Sequence, residues 1–517
     1  MSNSKCHSRR RSILPILGLL LIVTAPIGAI ERHRETTGMP LNVWATLAGV
    51  ASAPLYMYMA DPPNLYDYEG LGFAWQGDRI TLGVDFVLNN DHAYTPSETY
   101  MFGRYIDLLD GRVETQLGDV SLTAGRITHR DEIPGPYSLF ISSADLPHTV
   151  VDLRYDNGFF FYNTRWIELN RQSSIYTYRV PVLDAGGPTG DYIELPLDRG
   201  ANYKVYGMDF GDFRVGLQES IVYLYRSFYP EYFLSPLPMY FTQLVNSTRG
   251  KPWTQIANEN SMMGFFADYT FDSAYVFGQF LVDDWNDAFF GWILEDEHDQ
   301  PAKFGWSLGG IIDVGVGTLG LYQAGATKYT FEPTYANAAE YPYSAGIDFN
   351  PYPYSYTYYP VTRYWSDDEW KPILPEDNYI GYLHGENNVA FAATFDSEAF
   401  GINYDAMLEY TISGAKSPAN PWHEDDWHSN QRTQLLDSER LEHRLLLSLG
   451  GEYWLGPMRI SGSLRLGGVW NELELVEIVA DESPIFVPSD TNRFLWEAAL
   501  ELHFALGVGD PRDQADE

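Results

Sequence analysis

Residues 442–470, EHRLLLSLGGEYWLGPMRISGSLRLGGVW, alternate with period two on both sides of Gly456-Pro457. Leu445, Leu447, Leu449, Tyr453 and Leu455 share one parity, and Arg444, Ser448 and Glu452 share the other. Beyond the turn, Met458, Ile460, Leu464, Leu466 and Trp470 alternate with Arg459, Ser461, Ser463 and Arg465. Successive side chains of a strand point to opposite sides, so the stretch predicts a hairpin with one apolar and one charged face. Its arms exceed the roughly 5 to 6 residues usual in a globular strand and suit the roughly 9 to 11 that a tilted strand needs to cross a bilayer. A soluble sandwich also alternates, but long arms predict an all-β, antiparallel transmembrane barrel, apolar outside and polar inside.

The pattern recurs. In residues 400–412, Phe400, Ile402, Tyr404, Ala406, Leu408, Tyr410 and Ile412 oppose Asn403, Asp405 and Glu409. Near the C-terminus Phe494, Trp496, Ala498, Leu500, Leu502 and Phe504 oppose Glu497, Glu501 and His503. Eight pairs of such runs meet at tight turns, among them Gly77-Asp78, Gly118-Asp119, Gly211-Asp212, Asp272-Ser273 and the strong hairpin dipeptide Asn157-Gly158. Between the pairs lie long segments, 170–202, 226–260, 330–388 and 414–441, rich in Pro, Tyr, Asp and Trp. Short periplasmic turns alternating with long extracellular loops are the asymmetry of outer-membrane barrels. Counting hairpins, the last strand and an even total predicts about 18 strands, within 16 to 20, and requires a strand from the ambiguous stretch 41–58.

The N-terminus carries Arg9, Arg10 and Arg11, an apolar run over 13–23, and small residues up to Ala29. That order is expected of a secretory signal, giving a leader over 1–29, a barrel over 30–506 and a polar tail over 507–517. Mean hydropathy is −0.25, too low for a helical membrane bundle. Cys6, the only cysteine, lies in the leader, so no disulfide or thiol chemistry is expected of the exported chain. The formal charge is −37 in 517 residues, a surface that repels nucleic acid and attracts cations. Solvated outer loops and a charged lumen account for most of it.

One ordered set of motifs stands out. Gly125-Arg126 is followed by Arg130-Asp131-Glu132-Ile133-Pro134-Gly135-Pro136-Tyr137-Ser138-Leu139. Then come Gln218-Glu219-Ser220, the proline-rich Pro230 and Leu234-Ser235-Pro236, Asn258-Glu259-Asn260, and a strand ending in Asp283-Asp284. In order and spacing these resemble the Wzi family of capsule assembly proteins over roughly residues 117–285, although an aromatic often found between the arginine and the glycine-proline is missing. The resemblance implies an 18-stranded outer-membrane barrel that attaches surface polysaccharide without catalysis.

Read by alternation alone, Arg126 and Glu219 fall on the lipid face, where charge is costly. Each must stand above the apolar band or be turned inward at a bulge, for which Gly125 is a candidate. Arg126 and Glu219 are candidate glycan-binding residues, together with Asp283 and Asp284, which are otherwise a solvated rim. The loop after residue 331 gathers Tyr352, Tyr354, Tyr356, Tyr358, Trp365 and Trp370 with Pro351, Pro353 and Pro360. Aromatic faces with polar tips suit the C–H faces of sugars; an interfacial girdle or a plug folded into the lumen is the alternative. Arg444, Glu452, Arg459, Arg465, Glu497 and Glu501 are expected to line the lumen. His423-Glu424-Asp425-Asp426-Trp427-His428 is too weak a signal to assign a metal, and no nucleophile motif, phosphate loop or dinucleotide fingerprint is present. The expectation is a non-enzymatic barrel in the outer membrane of a diderm bacterium, with no cofactor. Its partners would be membrane lipid, surface polysaccharide and the barrel assembly machinery. A porin or substrate-specific channel is the alternative.

Overall fold

The structure, a computed structural model, describes residues 41–53, 65–77, 79–91, 102–143, 146–172, 177–184, 187–196, 198–246, 248, 259–283, 301–331, 348–349, 363–366, 369–372, 380–416, 434–476 and 485–508. The expected leader over 1–29 lies outside these.

Eighteen strands form one closed sheet. In chain order they are β1 Leu41–Ala53, β2 Leu65–Gln76, β3 Ile80–Asn89, β4 Tyr105–Leu117, β5 Val120–Thr128, β6 Pro147–Asp156, β7 Phe160–Asn170, β8 Arg199–Asp209 and β9 Phe213–Leu224. There follow β10 Glu259–Thr270, β11 Ala274–Asp283, β12 Lys303–Asp313, β13 Thr318–Ala326, β14 Asn388–Ala399, β15 Ile402–Ser413, β16 Glu442–Leu455, β17 Met458–Trp470 and β18 Asn492–Val508. Each pairs antiparallel with its neighbours, and β1 closes the ring on β18 from Leu41↔Val508 to Ala53↔Trp496. Residues 41–53 of the ambiguous stretch therefore supply the strand that the even count requires. The last strand runs to Val508, two residues further than the barrel end expected at 506.

The quoted hairpin forms in the expected register, with Leu447↔Leu466 and Ser448↔Arg465 in adjacent rows. Gly456 at its turn has φ +60°, and Gly158 in the Asn157-Gly158 turn has φ +81°, the left-handed conformation that glycine adopts without strain. Outward parity leaves Phe73, Leu408, Leu445, Leu502 and Phe504 exposed around the wall. In water such a belt would be unstable; in a bilayer it is the lipid-facing surface.

Among the described residues, three outer loops besides the one after β13 carry structure of their own. Residues 177–196 form a hairpin of Thr177–Asp184 and Gly187–Pro196, and Leu473–Val476 pairs with Ile485–Pro488. The third holds two short helices, α1 Pro230–Leu234 and α2 Met239–Asn246.

Candidate functional site

Past β5 the chain turns back into the barrel. Residues 129–143 carry Ile133, Tyr137, Leu139, Phe140 and Ile141 into an apolar core shared with inward side chains of the wall, among them Val150, Phe161, Tyr203, Phe266 and Leu281. An apolar core inside a porin-like wall is the physical signature of a plug, because burying such side chains removes water from both surfaces.

Polar anchors fix the plug. Asp131 accepts from the backbone N–H of Ile133 (3.2 Å) and Phe140 (3.3 Å) and from Gln279 Nε2 (2.9 Å). Gln279 Oε1 in turn accepts from the Leu139 N–H at 2.8 Å, and Gln279 Nε2 also donates to Gln218 at 2.7 Å. Glu132 meets Arg154 at 2.8 Å and Arg214 at 3.8 Å. Burial pushes the Asp131 carboxyl up to about 6, against the opposing pull of its three donors. A second inward segment, residues 380–387, docks on the first: the Ser142 N–H donates to the Ile380 carbonyl at 2.8 Å. Tyr137 Oη donates to Glu409 Oε1 at 2.8 Å, and His384 Nε2 lies 3.0 Å from the same oxygen. The carboxylate thus ties both segments to β15.

The opposite half of the lumen is ionic. Arg459 donates to Glu501 at 2.6 Å and stands 3.6 Å from Glu452, while Tyr68 Oη donates to Glu501 at 2.9 Å. Arg465 and Glu497 are 3.3 Å apart, and Arg112 lies between Asp110 (3.6 Å) and Glu114 (3.4 Å). Arg444 is 4.0 Å from Glu442. The six charges expected in the lumen all have inward parity, and alternate sign around the wall keeps each beside a counter-charge.

Arg126 and Glu219 take routes other than a bulge at Gly125. The β5 register passes through Gly125 and Arg126 without a shift. The irregularity lies one strand away in β4, where Asp85 pairs with Asp110 but Phe86 pairs with Leu108. The β4–β5 ladder ends at Gly111↔Arg126, and Arg126 Nε bridges the opening by donating to the Leu108 carbonyl at 2.8 Å. Glu219 stays on outward parity yet is buried, because the loop after β9 folds over the outside of the wall. It accepts from the N–H groups of Met239 (2.9 Å) and Tyr240 (3.5 Å) at the start of α2. A loop lying on the outer wall was legible only as an oddity, a charge on the wrong parity.

Asp283 is buried too, and is no solvated rim: it accepts from the Phe331 N–H at 2.8 Å and pairs with Lys303 at 3.4 Å. Asp284, Tyr352, Tyr354, Tyr356, Tyr358 and the His423 to His428 cluster lie outside the described residues. Trp365 and Trp370 are register partners in a small hairpin of Arg363–Ser366 and Glu369–Pro372. The structure therefore does not bring Arg126, Glu219 and Asp283 into one site; each holds a different loop or strand end. Tyr137, Gln279 and Glu409 belong to stretches read in the sequence as motif or strand but were given no site role there, and His384 was not named. The apolar run Leu139-Phe140-Ile141 in a presumed outer loop was the available signal that this loop is buried.

In fold the chain is similar to Wzi of Escherichia coli. That structure is described as an outer membrane protein involved in group 1 capsule assembly and a carbohydrate-binding β-barrel. It aligns with a TM-score of 0.52 and 10% identity over 93% of this chain and 88% of Wzi. OccAB4 of Acinetobacter baumannii aligns at a TM-score of 0.41 with 10% identity over 90% of this chain and 97% of its own length, and OprD of Pseudomonas aeruginosa at 0.40 with 10% identity over 91% and 96%. No protein-family model matches the sequence, and no curated protein sequence matches it. The fold is thus that of an outer-membrane barrel.

Proposed function

We propose that this protein is a non-catalytic barrel that holds surface polysaccharide at its outer face and passes little or no solute. The observation that carries this reading is the plug: residues 129–143 are joined to the wall by a continuous apolar core and by paired charges, and apolar contact with the wall excludes a water path on that side. The tyrosine- and tryptophan-rich outer loop supplies flat faces suited to sugar rings, with prolines that lower the entropy lost on ordering. Similarity to a carbohydrate-binding barrel supports the same reading. Arg126, Glu219 and Asp283 act in it as posts for loops and strand ends, and Tyr352, Tyr354, Tyr356, Tyr358, Trp365, Trp370 and Asp284 as the residues that contact the glycan. Membrane lipid and the barrel assembly machinery are the remaining partners.

The test is binding of the refolded protein to polysaccharide from the surface of its own cells, with and without residues 352–370. Retention by the intact chain and its loss on deletion are expected. No retention by the intact chain, together with steady conductance in planar bilayers, would replace this reading by the second one, a substrate-specific channel. That second reading draws on the charge-paired half of the lumen, where Arg459, Glu501, Arg465 and Glu497 face one another.

A further inference from the structure

Between Phe228 and Asn246 the chain holds a single charged residue, Glu231, although 20% of all residues are charged. This segment lies against the outward side of β7 to β10. There the wall is unusually polar: Thr164, Lys204 and Glu219 occupy one outward row, linked in register across three strands. Thr164 Oγ1 donates to the Phe233 carbonyl at 2.9 Å, Lys204 Nζ to the carbonyls of Ser235 and Leu237, and Glu219 accepts from α2. The wall therefore has no bare charge here.

The helix α2 is built inside out. Met239, Thr242, Gln243 and Asn246 recur at helical spacing and turn toward the protein; Gln243 accepts from Ser261 Oγ at 2.7 Å and donates to the Glu259 carbonyl. Phe241, Leu244 and Val245 form the opposite stripe and are 54%, 48% and 56% exposed, joined by Leu234 at 72% and Leu237 at 58%. A water-facing helix has the reverse pattern.

Height along the wall identifies what meets this stripe. Glu219 stands eight residues beyond the periplasmic turn glycine Gly211; on β15, Leu408 and Tyr410 stand seven and nine beyond Gly401 and face outward. At about 3.3 Å per residue and a tilt near 40°, that level is about 20 Å above the turns, in the outer part of an apolar band about 25 Å tall. The stripe also continues the belt directly, since Phe265 on neighbouring β10 is half exposed one outward position below Met263, the register partner of Glu219.

We propose that residues 228–246 are a membrane-seated strap: they cover the polar patch of the wall and present Phe241, Leu244, Val245, Leu234 and Leu237 to the acyl chains of the outer leaflet. The barrel would thereby carry an interfacial anchor on one side, which sets its depth and its rotational preference in the bilayer.

A nitroxide at Leu244→Cys, and separately at Phe241→Cys, in a chain lacking Cys6 and reconstituted into phospholipid vesicles, tests this. Power-saturation measurements compare its access to oxygen and to a water-soluble nickel chelate with Leu408→Cys on the belt and Phe102→Cys on an exposed outer loop. High oxygen access with low nickel access, nearer the Leu408 ratio than the Phe102 ratio, is expected at both positions. Nickel access equal to that at Phe102 would mean that the stripe faces water, and low access to both reagents would mean that protein covers it; either result overturns the proposal. Both native side chains are largely exposed, so the substitutions leave the fold intact, which an unchanged heat-dependent gel shift verifies.

Discussion

Asp131 is a carboxylate whose burial outweighs its hydrogen bonds. Its folded value, about 6, lies above the ordinary 3.8, so the seated plug binds the proton more tightly than the released one. By linkage its contribution to plug seating is full below about pH 4, declines as pH rises to about 6, and is constant above that. Amide exchange of residues 133–141, corrected for intrinsic rates, should therefore be slower at pH 5 than at pH 7.5. Asp131→Asn should flatten that difference, and an unchanged slope would dissociate Asp131 from it. Glu219 works by a different balance, as a buried acceptor for the first N–H groups of α2. Glu219→Leu would leave those donors unpaired at a cost of about 1 to 3 kcal/mol, read as faster exchange across residues 230–246 with the barrel strands unchanged.

At the scale of elements, the plug and the strap are two outcomes for loops of similar position. The loop after β5 enters the lumen because its apolar run meets apolar inward residues such as Phe266 and Leu281. The loop after β9 stays outside, where polar outward residues of β7 to β10 receive its backbone carbonyls and N–H groups. Replacing residues 131–142 by a short glycine-serine link should open a path beside the charged half and give discrete conductance steps in planar bilayers, with the intact protein near baseline. Equal conductance from both proteins would show that the plug does not limit passage.

For the whole molecule, closure is the condition for crossing a membrane, since lipid offers no partner for unpaired backbone N–H and C=O groups. The β1–β18 seam supplies it. A chain ending before Leu495 would expose two strand edges; it is expected to lose the heat-dependent gel shift of a folded barrel, and retention of that shift would require another strand to close the ring.

The strands, their number and their inward and outward faces were written in the sequence, because a period of two is a local property that each hairpin displays by itself. Alternation over 442–470 was enough to orient Arg459, Arg465 and Glu452 inward. The same rule placed Arg126 and Glu219 outward correctly but could not say why a charge was tolerated there. The answers, a ladder that opens beyond Gly111 and a helix resting on the wall, lie in contacts between segments about twenty residues apart. The plug was hidden for the same reason: whether Leu139-Phe140-Ile141 faces water or the lumen depends on the inward side chains of distant strands, and only closure of the ring brings those together.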